Sequence, residues 1–270
     1  MEPGEVRRLF SRFGMRPRKS LGQHFLVDAR VAERQVAHAQ VGPADVVLEI
    51  GPGLGILTAR LAIQAKRVVA IETDRRLVAH LRDAVPEAEI IQGDALEVEW
   101  PAFDAMVSNL PYRISSPLTF KLLDHRFDRA ILMYQREFAK RMVARPGTPD
   151  YSRLTVGVYR RAACEILERV PRNAFHPQPR VDSAIVRLRP RPPPFAVADP
   201  ALYDEVVAAL FEQRRKTIEN GLRLAWASFE SRVGPLERVL PALRFRRQRI
   251  EELRPEDIAS LVDSMLRAKA

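Results

Sequence analysis

Three groups of residues in this chain have types and spacings that bear on chemistry. In "VLEIGPGLGILTARL", Gly51, Gly53 and Gly55 fall between an apolar run and a stretch of helical period. Glycines at such a turn let the main chain bend sharply and let a ligand approach the backbone. Glu72 closes the next apolar run, 21 residues after Gly51. From that place a carboxylate can accept hydrogen bonds from both hydroxyls of a ribose. In "SNLPYRISSP" (108–117), Asn109, Pro111 and Tyr112 sit together where a further apolar run ends. A polar and aromatic corner there is costly to keep unless something docks on it.

The glycine turn and its acid read as a nucleoside-cofactor site. The dinucleotide fingerprint G-x-G-x-x-G is not met, because position 56 is Ile and the third glycine comes one residue early. Glu49, just before the turn, would repel a pyrophosphate but suits a ligand carrying an ammonium and a sulfonium. The cofactor expected is therefore S-adenosyl-L-methionine, held by Gly51, Gly53 and Glu72, rather than NAD. In "QGDAL" (92–96), Asp94 can take the amino group of the cofactor's adenine, with Ala95 as a flat neighbour, or can cap a short helix. The residues alone leave both open.

The corner fits transfer to an adenine amine. That nitrogen's lone pair is delocalised into the ring and is a poor nucleophile. Two acceptors aimed at its hydrogens would hold it toward tetrahedral geometry and steady the positive charge that develops on attack. The Asn109 side-chain oxygen is one candidate and the Leu110 carbonyl the other. Pro111 pushes Leu110 away from helical angles, which leaves that carbonyl free. Tyr112 offers a face for an unstacked base, an interaction worth roughly 1–3 kcal/mol. No general base is required, since the methylated ammonium is acidic enough to lose its proton to water. The alternative is an ordinary strand-to-helix turn, with Ser115 or Ser116 as cap, Pro117 in the first turn and Tyr112 packed inward.

These residues must be positioned by regular elements, and short apolar runs alternate with helical stretches. "DVVLEI", "RVVAIE", "AEIIQG", "FDAMVSNL" and "RAILMY" read as strands; "LGILTARLAIQA", "RRLVAHLRDAV", "SPLTFKLLDH" and "REFAKRMVA" read as helices between or after them. "CEILERV" and "SAIVRLRP" read as a closing pair of strands. The class expected is α/β: a Rossmann-like, mostly parallel sheet with helices on both faces, as in S-adenosylmethionine-dependent methyltransferases, plus a small all-α C-terminal domain. The Pro-dense stretch from 190 onward marks the boundary, giving a domain over 29–190 and a helical one over 199–270.

With 270 residues, 46% of them hydrophobic, the chain can bury a sizeable core. No stretch reaches the roughly 18 apolar residues of a membrane span, and the N-terminus lacks a secretion signal's apolar core, so a cytoplasmic protein is expected. The lone Cys164 excludes a disulfide framework and is expected as a small buried hydrophobe; with five scattered His residues it gives no metal-ligand spacing, and no metal is expected. The formal net charge is +10, and residues 195–270 hold 13 Lys and Arg against 12 Asp and Glu, so the basicity belongs to the first part of the chain. Such a surplus favours a polyanionic partner, although 38 of the 44 basic residues are Arg, which also reflects genome composition. Arg7, Arg8, Arg12, Arg16, Arg18 and Lys19 lie within 13 residues with no acid among them, the pattern of a phosphate-tracking arm.

With the glycine turn, its acid, "GDA" and "NLPY" in this order, the chain resembles the rRNA adenine N6,N6-dimethyltransferase family. It most resembles the branch that acts on two adjacent adenosines near the 3′ end of small-subunit rRNA. "KSLGQHFLVD" (19–28) is similar to the family's cofactor-covering segment, "FHPQPRVDSAIVRL" (175–188) to its signature before the last strand, and "FEQRRKTIENGL" (211–222) to its second-domain helix motif. The likeness spans roughly residues 16–265. It implies that residues 1–28 form an arm and cofactor cover, that His24 and Leu26 touch the cofactor, Gly51 its methionine part, Glu72 the ribose and Asp94 the adenine. Asn109 would touch both cofactor and target, and Tyr112 and Phe175 would sandwich a flipped adenine, although Phe175 by itself, with Pro177 and Pro179, reads as part of a core-covering loop. His24 stands where many bacterial members carry Asn. Implied partners are small-subunit rRNA and the assembling small ribosomal subunit, with no membrane and a monomeric enzyme. Arg214, Arg215 and Lys216, with Arg244, Arg246, Arg247 and Arg249, are candidates for docking rRNA helices, or a solvated charged face. The rivals are a large-subunit rRNA adenine methyltransferase, a non-catalytic RNA- or DNA-binding factor on the same fold, and an NAD-dependent oxidoreductase; "FEQRRKTIENGL" and the helical tail argue against the first, the intact Glu72, Asp94 and Asn109 to Tyr112 set against the second, and Ile56 against the third.

Overall fold

The apolar runs at the centre of the sheet become strands buried on both faces, which is why they read as continuous rather than alternating, while the two edge strands keep exposed residues. In the computed structural model, which describes residues 24–268, the strands are β1 (Phe25–Leu26), β2 (Val46–Ile50), β3 (Arg67–Glu72), β4 (Glu89–Gln92), β5 (Ala105–Asn109), β6 (Arg129–Gln135), β7 (Ala162–Val170), β8 (Phe175–His176) and β9 (Ser183–Pro190). Seven of them form one sheet in the order β4-β3-β2-β5-β6-β9-β7, and β1 pairs with β8 apart from it. The pairings β4 with β3, β3 with β2, β2 with β5 and β5 with β6 are parallel; β9 runs antiparallel to β6. The two closing strands are neighbours at one edge, as the sequence predicts.

From β2 the chain builds outward to β3 and β4, then crosses back to place β5 on the other side, so the order reverses between β2 and β5. That reversal opens a crevice at the strands' carboxyl ends. The two strands pair only through Val47 with Ala105 and Leu48 with Met106. Beyond that, the Ile50 N–H donates to the Ser108 hydroxyl at 2.8 Å, so a side chain stands in for the ladder where the strands part. Gln35, fully buried on the helix Ala29–Ala39, donates to the carbonyls of Ser108 (3.0 Å) and Ile131 (3.2 Å) and steadies the same end.

The helix expected over 54–65 is confined to Thr58–Ala62. Gly51, Gly53 and Gly55 all take positive φ, so the turn consumes the first part of that stretch. Arg75–Ala84 is capped by the Asp74 carboxylate on Arg76 N–H (2.9 Å). Cys164 on β7 is half-buried rather than sealed, with its thiol pushed up by burial.

The chain divides into two compact units, the first holding the sheet through Ala139 and over Ala163–Pro190, the second holding Lys140–Ala162 with the residues from Arg191 onward. Segment 140–162, which the sequence assigns to the sheet domain, therefore packs with the helices. Tyr151 and Val156 are buried in the helical core with Tyr203, Leu210 and Leu222, and the Tyr151 hydroxyl donates to the Leu253 carbonyl at 2.7 Å. Arg160 and Arg161 both reach Asp204 (2.7 and 2.6 Å). In the second unit, Pro200–Glu212 and Ile218–Ala225 are separate helices, the second capped by Thr217.

Candidate active site

A cavity of about 400 Å³ opens at the carboxyl ends of the central strands. Its wall is built from four loops and one extended segment: Gly51 and Gly53 after β2, Glu72 and Thr73 at the end of β3, Asp94 and Ala95 after β4, Asn109 to Ile114 after β5, and His24 to Leu26 around β1. The structure thus brings together every predicted site residue except Phe175. The glycines are required there: Gly53 has φ +59°, and a Cβ on it would come within 3.0 Å of the Phe25 ring.

Three carboxylates face this wall. Glu72 is 6% exposed, and its Oε1 accepts the N–H groups of Thr73 (2.8 Å) and Asp74 (2.9 Å), while Oε2 takes only a long contact from Gly53 N–H at 3.4 Å. Burial raises its pKa, opposed by those backbone donors. Glu49 is 1% exposed, and its Oε2 has no hydrogen-bond partner. Burial first, and the charge of Glu72 in addition, push its pKa up to about 8, with Thr58 opposing. Asp94 is exposed; its Oδ1 accepts Leu96 N–H at 2.8 Å and its Oδ2 has no partner among the described residues. One Asp94 oxygen thus caps a turn, where the sequence offers a short helix, and the side chain lines the cavity. Among the described residues no three His, Cys, Asp or Glu side chains gather as a metal site.

At the corner, Asn109 ends β5 opposite Met133 of β6. Its side-chain amide makes no hydrogen bond among the described residues. Leu110 N–H donates to the Met133 carbonyl at 3.3 Å, but no donor reaches the Leu110 carbonyl. Pro111, at φ −59° and ψ 120°, leads into a 3-10 turn over Tyr112–Ile114 that runs directly into the helix Ser115–Leu123. Ile114 occupies the cap position, so neither Ser115 nor Ser116 caps; Ser115 Oγ turns back to the Pro111 carbonyl at 3.4 Å instead. The Tyr112 hydroxyl lies 2.6 Å from Ser183 Oγ, and burial holds its pKa up at about 12.

The N-terminal side is closed by β1. His24 Nδ1 is 2.7 Å from the Pro177 carbonyl, so this nitrogen carries the proton, and its ring lies 5.8 Å from that of Tyr112. Leu26 pairs with Phe175 across β1 and β8. That pairing turns Phe175 into the core beneath the sheet unit, 3% exposed among Leu26, Ala174 and Ile185, and it does not line the cavity.

The profile of the family described as ribosomal RNA adenine dimethylase matches residues 14–256. The chain belongs to this family. It is 48% identical over 253 residues to a probable ribosomal RNA small subunit methyltransferase A of Methanosarcina acetivorans, covering 92% of this chain and 93% of the relative. It is 44% identical over 259 residues to the protein of the same name from Thermococcus gammatolerans, covering 94% and 92%. Among solved structures, a dimethyladenosine transferase from Plasmodium falciparum superposes with a TM-score of 0.74 at 32% identity, covering 88% of this chain and 96% of that one. The 23S rRNA methyltransferase ErmE superposes with a TM-score of 0.65 at 32% identity, covering 89% and 99%.

Sequence reasoning missed three contributors to this cavity and the contacts around it. Phe25, between two predicted residues, covers Gly53. Lys121 donates to the carbonyls of Ala95 (3.0 Å), Leu96 (3.0 Å) and Val98 (2.8 Å) and so shapes the Asp94 turn. Ser183 meets Tyr112 from 71 residues away. Only Phe25 had a local signal, its place within "QHFLVD". Of the basic residues, Arg214 is spent inside its own unit, on the carbonyls of Pro149 and Tyr151 (2.8 Å each) and near Glu251 (3.7 Å), while Arg215, Lys216, Arg244, Arg247 and Arg249 are exposed. The arm from Arg7 to Lys19 lies outside the described residues.

Proposed function

We propose that this protein transfers methyl groups from S-adenosyl-L-methionine to the exocyclic amines of two adjacent adenosines near the 3′ end of small-subunit rRNA, two per base. The observation that carries this is the pairing of an unengaged Asn109 amide with an open Leu110 carbonyl on a cavity wall that also presents Glu72 and Asp94. Membership of the dimethylase family and 44–48% identity to relatives named for the small subunit support the RNA substrate.

The residues present suit the cofactor. A buried carboxylate oxygen on Glu49 without a partner favours a cation and disfavours a pyrophosphate. Glu72 Oε2 would take the ribose, Asp94 the adenine amine, and the Gly51 to Gly53 backbone the methionine part, with His24 and Leu26 as cover. When bound, the cofactor supplies an electrophilic methyl group on a sulfonium. The chain's own residues do the rest by positioning. Asn109 Oδ1 and the Leu110 carbonyl accept the two amine hydrogens and stabilise the charge that grows on nitrogen. Tyr112 supports the base by its ring face. After the first methyl only one N–H remains, so the second transfer engages a single acceptor, and the wall must admit a methyl in the other's place.

On this reading the working substrate is an assembling small subunit, met by a monomer in the cytoplasm. No helix among the described residues is long and apolar enough to cross a membrane. Labelled S-adenosylmethionine with undermethylated small subunits should place label on two adjacent adenosines. Label on free large-subunit rRNA instead would move the substrate to that of ErmE, and no label on either RNA would leave a binding factor without turnover.

A further inference from the structure

We propose that Ser183 is a positioning residue for methyl transfer, acting through the Tyr112 hydroxyl. This rests on the proposed function of the same cavity. Ser183 opens β9 opposite Gln135 of β6 and has no exposed surface. Alanine would satisfy that strand position, since a buried hydroxyl is unfavourable unless it is hydrogen-bonded. Its partner is the Tyr112 hydroxyl at 2.6 Å, on a separate element.

The bond fixes the far end of the Tyr112 ring. Its near end is already fixed by Pro111 and the 3-10 turn. Held at both ends, the ring cannot swing about its first side-chain torsion into or away from the cavity, so the stacking face stays beside Asn109. Burial keeps the phenol neutral, which preserves its capacity to donate and accept.

The same segment makes a second contact of this kind. In "FHPQPRVDS", the Pro177 carbonyl receives the His24 ring N–H, and that ring lies against Tyr112. Phe175, the residue of this stretch with an evident aromatic role, is turned into the core. The segment therefore serves the site through Pro177 and Ser183, which hold the two rings on the cavity's side.

The test compares wild type, Ser183→Ala, Tyr112→Phe and the double variant. Two quantities are read: kcat for methyl transfer to undermethylated small subunits, and the Kd of S-adenosylhomocysteine by calorimetry. Each single change should lower kcat about five- to tenfold, the worth of one hydrogen bond. The Kd should stay within about twofold, and the double variant should be no slower than either single one, because both remove the same bond. An unchanged kcat in Ser183→Ala, losses that multiply in the double variant, or a Kd that rises in step with the fall in kcat would each overturn the inference. Wild-type protein that binds S-adenosylhomocysteine yet labels no adenosine would instead bring down the proposed function, and this inference with it.

Discussion

Glu49 is buried in the field of Glu72, and the second carboxylate makes ionisation of the first harder. With a pKa of about 8 in the fold, Glu49 is protonated at neutral pH, whereas in the unfolded chain it ionises near the ordinary 4.5. The native state therefore binds more protons than the unfolded state between those values, and stability falls as pH rises through that window. Above about pH 8 this contribution levels off. Denaturant melts of the cofactor-free protein from pH 5 to 9 should show the decline, and Glu49→Gln should flatten it. Binding of a cationic cofactor favours ionised Glu49, so affinity for S-adenosylmethionine should climb toward pH 8 in wild type and not in Glu49→Gln. An affinity independent of pH in both would remove Glu49 from the charge balance of the site.

Asn109 and Glu72 face one cavity but are assigned separable work. Removing the Asn109 amide takes away an acceptor needed most as charge develops on the target nitrogen. Asn109→Ala should cut kcat by about 10²- to 10³-fold, the scale for one preorganised group at a charge-developing atom. Its effect on S-adenosylhomocysteine affinity should be smaller than that of Glu72→Ala, which calorimetry on both variants would measure. Equal losses of affinity in the two would reject the division of roles.

Gly53 is held at φ +59° with the Phe25 ring against it. Alanine there meets two penalties, the left-handed backbone and a contact at 3.0 Å. The backbone alone costs about 1–2 kcal/mol. Gly53→Ala should lower the melting temperature and weaken S-adenosylhomocysteine binding together. Gly147, also at positive φ but with nothing within 4 Å of its Cβ position, is the control: alanine there should cost stability without touching ligand affinity.

What the sequence made legible follows from distance along the chain. β3 and the five-strand parallel core were readable because each buried strand is a short apolar run, complete in itself. The Gly51 to Glu72 and Asn109 to Tyr112 sets were readable because turn chemistry is local. Ser183 on Tyr112 and Lys121 on the Asp94 turn were not, since a serine in a strand and a lysine in a helix look the same whether or not a distant partner awaits them. Phe175 shows the two kinds of reading apart. Its own stretch, with Pro177 and Pro179, reads as a core-covering loop, and the two-residue pairing of β8 with β1 does send its ring into the core, whereas the place against the adenine came from the resemblance alone. Segment 140–162 went to the wrong side of the boundary because its apolar residues have helical period in either unit; only the contacts of Tyr151 and Val156 decide.

Lys121 supplies the last expectation. Its ammonium sits on three carbonyls of the turn that carries Asp94, and 5.0 Å from the centre of the Trp100 ring. The Ala95 carbonyl also takes the Trp100 indole N–H at 2.8 Å, but among the described residues the Leu96 and Val98 carbonyls have the ammonium alone, so the turn's shape leans on the charge. Lys121→Met keeps most of the stem and deletes the donor. The Asp94 turn should then loosen, raising KM for S-adenosylmethionine about tenfold while kcat changes less than about twofold, since the Asn109 corner is built on a different strand. The Kd of S-adenosylhomocysteine should rise in parallel with KM. A kcat that falls as far as KM rises would mean that the turn governs the transfer step itself, and that Asp94 does more than hold the adenine.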